Sequence, residues 1–178
     1  LGRRVLQADR FVRNSDWVDE PFAFAPRFAG KRVGMVGMGP LGRAIAKRVS
    51  AFEMGVRYHD RQPVSDVPYA YCRSVPELAA QSDYLVLAMQ PPPADGPLVT
   101  SEVLIQALQS KQIAGAGLDV FWDEPRVPAE LRALHNVVLT PHIGNATFEQ
   151  RTWMEQAAID NVLAYFEGRP LKGVCSFT

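Results

Sequence analysis

The stretch from residue 31 to residue 60 constrains the fold of this 178-residue chain more than any other. An apolar run, Val33 to Val36, breaks at Gly37-Met38-Gly39-Pro40-Leu41-Gly42. A helical pattern follows, and a second strand-like run ends at Asp60. A glycine-rich turn alone means only a turn, but strand, turn, helix, strand and terminal acid in this order spell a βαβ unit. Gly37 suits the tight exit from the strand, Gly39 lets backbone approach a ligand closely, and Gly42 lets the helix lie near the strand. The helix then turns its leading amides toward whatever sits in the turn, which favours a pyrophosphate. Asp60 stands where a carboxylate accepts hydrogen bonds from an adenosine ribose, so the unit is expected to hold a dinucleotide.

Composition narrows the remaining choices. The 19 Lys and Arg balance the 19 Asp and Glu, so no overall field favours nucleic acid or an anionic membrane as a partner. Arg3, Arg4, Arg10 and Arg13 alternate with apolar residues at helical spacing and read as a solvated helix face. The longest apolar runs, such as Tyr84 to Met89, fall far short of the ~20 residues of a membrane helix, and no signal peptide opens the chain. Cys72 and Cys175 have no metal-like spacing and need not pair, which fits a reducing cytoplasm.

Read in order, the chain predicts an amphipathic helix over Leu1 to Val12, with Leu1, Val5, Leu6, Phe11 and Val12 on one side, and a connector from Trp17 to Phe28. A strand at about Arg32 to Val36 leads into a helix from Leu41, with Leu41, Ile45, Val49 and Phe52 toward a sheet. A second strand covers Val56 to His59. Ser74-Val75-Pro76-Glu77 has the pattern of a capping box, opening a short helix through Ala80. The continuous apolar run Tyr84 to Ala88 predicts a parallel strand covered on both faces. A helix from about Ser101 to Gln109 carries Val103, Leu104, Ala107 and Leu108 inward. Strands at about Ala116 to Phe121 and Val137 to Leu139 follow, then a long helix from near Thr147 that stops before Gly168-Arg169-Pro170. Alternating strands and helices argue for an α/β fold of the Rossmann-like, doubly wound parallel type. The organisation expected is an arm and connector over residues 1–30, a dinucleotide-binding domain over 31–146, and a C-terminal helix and tail over 147–178.

A second group of polar residues lies downstream. Gly115-Ala116-Gly117-Leu118-Asp119-Val120-Phe121-Trp122-Asp123-Glu124-Pro125 ends one strand in acids, and Val137-Val138-Leu139-Thr140-Pro141-His142-Ile143-Gly144 ends the next in a histidine. Carboxyl ends of strands are the edge of a parallel sheet where ligands bind. A histidine there can hand a proton to a carbonyl oxygen while hydride arrives at the carbon. A nearby carboxylate would orient the ring and favour its charged form. Taken singly, His142 reads better as a satisfied turn residue and Glu124 as a solvated loop acid; it is their pairing that points to chemistry.

Five blocks carry a family resemblance: VGMVGMGPLGRAIA from Val33, FEMGVRYHDRQP from Phe52, VPELAAQSDYLVLA from Val75, IAGAGLDVFWDEP from Ile113 and LHNVVLTPHIGNAT from Leu134. The chain resembles the NAD(P)-binding domain of the D-isomer-specific 2-hydroxyacid dehydrogenases, in their glyoxylate/hydroxypyruvate and 2-ketogluconate reductase branch. The resemblance implies reversible reduction of a small 2-keto acid to the D-2-hydroxy acid. It makes His142 the proton donor and Glu124 its acid. It places the dinucleotide against Gly37, Met38, Gly39, Pro40, Leu41, Gly42, Asp60, Arg61, His142 and Gly144, with Asp119 at its nicotinamide end. It also makes the first segment the arm that pairs two copies in a homodimer, and turns the last helix back toward a substrate domain. NAD is preferred from Asp60, which would repel a 2′-phosphate, whereas Arg61 beside it would suit NADP.

Two departures from the family accompany these matches. The flavodoxin-like substrate domain that precedes the arm in the family is not in this sequence. Met89-Gln90-Pro91-Pro92-Pro93 also runs straight into Ala94-Asp95-Gly96-Pro97, a shortfall on the order of 20 residues, the size of one helix-strand unit. Asp95 thereby falls where the family has the arginine that grips the substrate carboxylate, and a carboxylate there would repel it. Omitted sequence is one reading, since removing a middle strand breaks two hydrogen-bonded ladders. Under a real shortening, neighbouring strands expose their edges or close up, and the chain is expected to be an inactive dinucleotide-binding scaffold, like the corepressors of this fold.

Overall fold

The structure, a computed structural model, describes residues 1–89 and 98–173. The Pro91 to Pro93 run, Asp95 and Cys175 lie outside the described residues. The chain forms two compact units, Leu1–Thr100 and Ser101–Thr178, so the division falls within the 31–146 segment.

The first unit opens with helix α1 (Val5–Arg13) and a single 3-10 turn (Asp16–Val18), then builds β1 (Arg32–Val36), α2 (Pro40–Ser50), β2 (Gly55–His59), β3 (Ala70–Tyr71), α3 (Val75–Ala80) and β4 (Tyr84–Leu87). All strands are parallel in the order β3-β2-β1-β4, with Val36 opposite His59 on one side and Leu87 on the other. The order reverses between β1 and β4. The carboxyl end of β1, where the glycine turn begins, is therefore a topological switch point, the place where such sheets bind ligands.

β1 is covered on both faces, which explains why it is almost wholly apolar. Val33 and Met35 pack with Ala46 of α2 and with Tyr58 and Met38, and Val36 packs with Leu78 of α3 and Cys72 on the other face. The inward stripe of α2 keeps the expected Ile45 and Val49 but has Gly42 and Ala46 in place of Leu41 and Phe52, which are exposed. The small buried residues Gly42 and Ala46 set the closest approach of the helix to the sheet, and this rotates Leu41 out. Phe52 instead meets Phe28 edge-on.

The capping box of α3 forms in altered shape. Ser74 Oγ accepts from the Glu77 N–H, while the Glu77 carboxylate reaches one residue further back, to the Arg73 N–H at 2.8 Å. At the foot of β4, Asp83 accepts from the Arg32 N–H at 2.8 Å and from its guanidinium at 3.1 and 3.2 Å, which holds its carboxyl down at about 2. β4 itself departs from expectation. Tyr84 and Val86 pack onto the α2 side, but Leu85 and Leu87 are 42% and 49% exposed. The six-residue α3 is too short to cover them, and β4 has no strand beyond it among the described residues.

The second unit contains α4 (Ser101–Gln109), β5 (Ala116–Leu118), α5 (Ala129–Arg132), β6 (Val137–Leu139) and α6 (Phe148–Phe166). β5 and β6 pair in parallel as a two-stranded sheet, Leu118 opposite Leu139. β5 is shorter than the expected Ala116 to Phe121 because the chain turns away once its partner ends. In α4 the buried residue is Leu108; Val103 is exposed, and Leu104, Ile105 and Ala107 are half-buried. α6 begins as read from the sequence, with Thr147 Oγ1 accepting from the Gln150 N–H.

Candidate active site

The glycine turn shows three distinct uses of glycine. Gly37 has φ of +97°, and a Cβ there would stand 2.9 Å from the Ala88 carbonyl oxygen, so only glycine fits between β1 and β4. A Cβ on Gly42 would run into the Gly37 carbonyl oxygen, which fixes how closely α2 approaches the turn. At Gly39, among the described residues and apart from its chain neighbours, no atom lies within 4 Å of a Cβ position, which leaves open space at the N-cap. The first bond of α2 runs from the Arg43 N–H to the Gly39 carbonyl at 3.0 Å, and Pro40 has no N–H. The amides of Leu41 and Gly42 therefore lack acceptors within the helix.

Asp60 follows β2. One carboxylate oxygen accepts from the Met38 N–H at 2.8 Å and the other from the Arg61 N–H at 2.7 Å. The acid thus stands against the glycine turn, as the sequence reading requires, with lone pairs left over for a hydroxyl. Arg61 is exposed. Open space at Gly39, helix amides beside it and a carboxylate anchored to the same turn fit the pyrophosphate and ribose of a nicotinamide dinucleotide. Arg43 does more than an exposed helix residue would. Its Nε donates to the Met38 carbonyl at 3.0 Å, and its two terminal nitrogens hold Asp66 at 2.7 and 2.8 Å. The signal for Arg43 in the sequence was its place directly after the last glycine; nothing in the sequence marked Asp66.

The second group forms at the carboxyl ends of β5 and β6. His142 Nδ1 lies 2.9 Å from Glu124 Oε2, and Glu124 Oε1 accepts from the Phe121 N–H at 2.8 Å. A carboxylate only accepts, so Nδ1 carries a hydrogen and Nε2 is left as the working nitrogen. The hydrogen bond to Glu124, with the charge of that carboxylate, raises the His142 pKa above its ordinary 6.5; Asp119 adds to this and Arg151 opposes it. The same bond, with the Phe121 amide, lowers Glu124.

Asp119 secures the turn that carries the histidine. It accepts from the Thr140 hydroxyl at 2.6 Å and from the Ile143 and Gly144 amides, each at 2.9 Å. These three donors hold its carboxyl below the usual range, the Thr140 hydroxyl most strongly. They also tie down both flanks of His142, whose φ of +53° is a left-handed conformation that a non-glycine residue adopts only when its surroundings fix it. Thr140 was missed as a site residue; its position two residues before His142 was the only hint.

The profile of the D-isomer-specific 2-hydroxyacid dehydrogenase NAD-binding domain matches residues 1–95 and 92–144. The two matched segments meet inside the region of the shortfall. The chain is 39% identical to a glyoxylate/hydroxypyruvate reductase A of Arabidopsis thaliana, over 96% of its own length and 62% of that protein's. That alignment spans 194 positions while 96% of 178 is about 171, so about 23 positions of the alignment have no counterpart here. Among solved structures, a 2-hydroxyacid dehydrogenase from Ketogulonicigenium vulgare superposes with a TM-score of 0.89 at 29% identity, covering 96% of this chain and 61% of that one. An NADPH-dependent glyoxylate/hydroxypyruvate reductase from Sinorhizobium meliloti, solved with NADP and malonate, superposes at 0.84 and 32% identity, over 92% and 59%. The chain spans about three fifths of the length of these relatives. Its sequence and its parallel α/β architecture place it in the D-isomer-specific 2-hydroxyacid dehydrogenase family, within the NAD-binding domain.

Proposed function

We propose that this chain is the dinucleotide-binding part of an oxidoreductase that reduces a small 2-keto acid, glyoxylate or hydroxypyruvate, to the D-2-hydroxy acid. The observation that carries the reading is the pair His142–Glu124 at 2.9 Å, with its raised histidine pKa and an Nε2 that bonds none of the described residues. When bound at the glycine turn, the reduced nicotinamide supplies the hydride that enters the keto carbon. His142 gives its Nε2 proton to the carbonyl oxygen, and Glu124 holds the ring and the charge of the imidazolium. In the reverse direction the neutral ring takes that proton back. Asp60 accepts from a free 2′-hydroxyl, which favours NAD, and Arg61 beside it gives a 2′-phosphate a counter-charge.

The segment 1–30 pairs two copies in a homodimer. Support comes from α1 and the turn after it, where Val5, Leu6, Val12, Trp17 and Val18 are all exposed, a larger apolar display than a free helix face carries. Segment 147–178 leads back toward a substrate domain, and the protein works in the cytoplasm. No described helix is long and apolar enough to cross a membrane.

A second reading, a dinucleotide-binding scaffold without turnover, is favoured by one observation. The shortfall coincides with a break in the sheet order, since β4 and β5 each have a neighbour on one side only among the described residues. Calorimetry with NADH and NADPH, followed by loss of NAD(P)H absorbance with glyoxylate or hydroxypyruvate, separates the two. Turnover that falls about 10²–10⁴-fold in His142→Asn with dinucleotide affinity retained supports the reductase. Binding without turnover supports the scaffold, and absence of binding defeats both.

A further inference from the structure

We propose that Arg43, braced by Asp66, is a positioning residue that presets the glycine turn for the pyrophosphate; the inference rests on the dinucleotide reading of that turn. Two successive peptide planes meet at the Met38 Cα. The Met38 N–H belongs to the first and is held by Asp60 at 2.8 Å; the Met38 carbonyl belongs to the second and is held by Arg43 Nε at 3.0 Å. The Met38 side chain between them is buried, 1% exposed. In a trans peptide the N–H points opposite to the C=O. Holding the Met38 carbonyl against Arg43 therefore aims the Gly39 N–H away from it, and keeps a partially negative oxygen engaged by a cation. This matters at a glycine, whose backbone would otherwise sample many orientations.

Asp66 makes the arrangement specific. It takes both terminal nitrogens of Arg43 in a forked pair at 2.7 and 2.8 Å, leaving Nε in place for the carbonyl. The Arg43 and Asp66 side chains are 39% and 67% exposed, and an ion pair that exposed adds little to folding stability. Its consequence is expected in dinucleotide affinity. The competing use of Arg43, direct contact with a phosphate, would draw on the two guanidinium N–H groups that Met38 and Asp66 leave over, or pull it away from Asp66.

The test compares Arg43→Ala, Arg43→Gln and Asp66→Asn by calorimetry with NADH and NADPH, alongside melting curves and hydrogen exchange at the Met38 amide without dinucleotide. Arg43→Ala is expected to weaken both dinucleotides by the same factor, about 5–10-fold, to quicken Met38 exchange, and to leave the melt nearly unchanged. Glutamine places an amide nitrogen where arginine has Nε, so Arg43→Gln should recover most of the lost affinity. Asp66→Asn should weaken binding by about 2–3-fold. Arg43→Gln as weak as Arg43→Ala, together with Asp66→Asn binding as well as or better than the parent, would overturn the positioning role in favour of phosphate contact. Arg43→Ala binding like the parent defeats the positioning role alone. A parent that binds neither dinucleotide defeats the proposed function and this role with it.

Discussion

Replacing Gly42 and Gly39 separately by alanine should divide folding from binding within one turn. At Gly42 the new methyl would overlap the Gly37 carbonyl oxygen and stand 3.0 Å from its carbon. That obstacle is backbone, and Gly37 is fixed by its N–H bond to the His59 carbonyl at 2.9 Å, so it cannot swing aside as a side chain would. Over-packing of this kind costs about 1–3 kcal/mol, with a rigid neighbour at the upper end. Alanine returns about 1 kcal/mol of helix propensity, leaving a net loss of about 2 kcal/mol. For a unit of about 100 residues, each kcal/mol lowers the midpoint by about 4–8 °C, so the Gly42→Ala melt should fall by about 10 °C. Gly39 is an open N-cap in extended conformation, φ −68° and ψ −170°, where alanine costs about 0.5 kcal/mol and the melt should move by only about 3 °C. Its methyl enters the space the pyrophosphate needs, so NADH affinity should drop by at least about tenfold. Calorimetric melts without dinucleotide and titration with NADH give both quantities. A Gly42→Ala protein that melts like the parent would refute the packing argument, and a Gly39→Ala protein that binds like the parent would remove the pyrophosphate from the turn.

Asp60→Ala should raise NADPH affinity relative to NADH by about tenfold, while weakening both because the Met38 N–H loses its acceptor; an unchanged ratio in paired titrations would move the ribose elsewhere. Glu124→Gln should shift the alkaline limb of the reduction profile to lower pH. Glu124 raises the His142 pKa, so the protonated donor persists above 6.5 in the parent and titrates nearer 6.5 in the variant; profiles that coincide would uncouple the pair. The stability that His142 draws from this pairing is present below its unfolded pKa and is lost as pH rises through the raised folded value. The imidazole titration of the two proteins, followed by NMR, should show the same difference.

The sequence by itself determined what short-range chemistry can determine. Strand β1, the tight turn at Gly37 and the close helix approach at Gly42, the start of α3 at Ser74 and of α6 at Thr147, and the emergence of Asp119, Glu124 and His142 at strand ends all follow from spacing and residue type within about ten positions. Partner choice between distant residues was decided only by the tertiary structure. Asp60 meets Met38 across 22 residues, Arg43 meets Asp66 across 23, and Asp119 gathers Thr140, Ile143 and Gly144 across 21 to 25. Each of these contacts depends on which strands lie side by side and in what register, and no local pattern encodes that. The inward stripe of α2 shows the same division. Periodicity predicted an amphipathic helix, but only close contact at Gly42 and Ala46 set its rotation. Likewise the apolar run of β4 fixed a strand, while the length of α3 and the end of the sheet order left Leu85 and Leu87 open. Burial is a property of the neighbours a segment receives, and those are known only once the chain has folded.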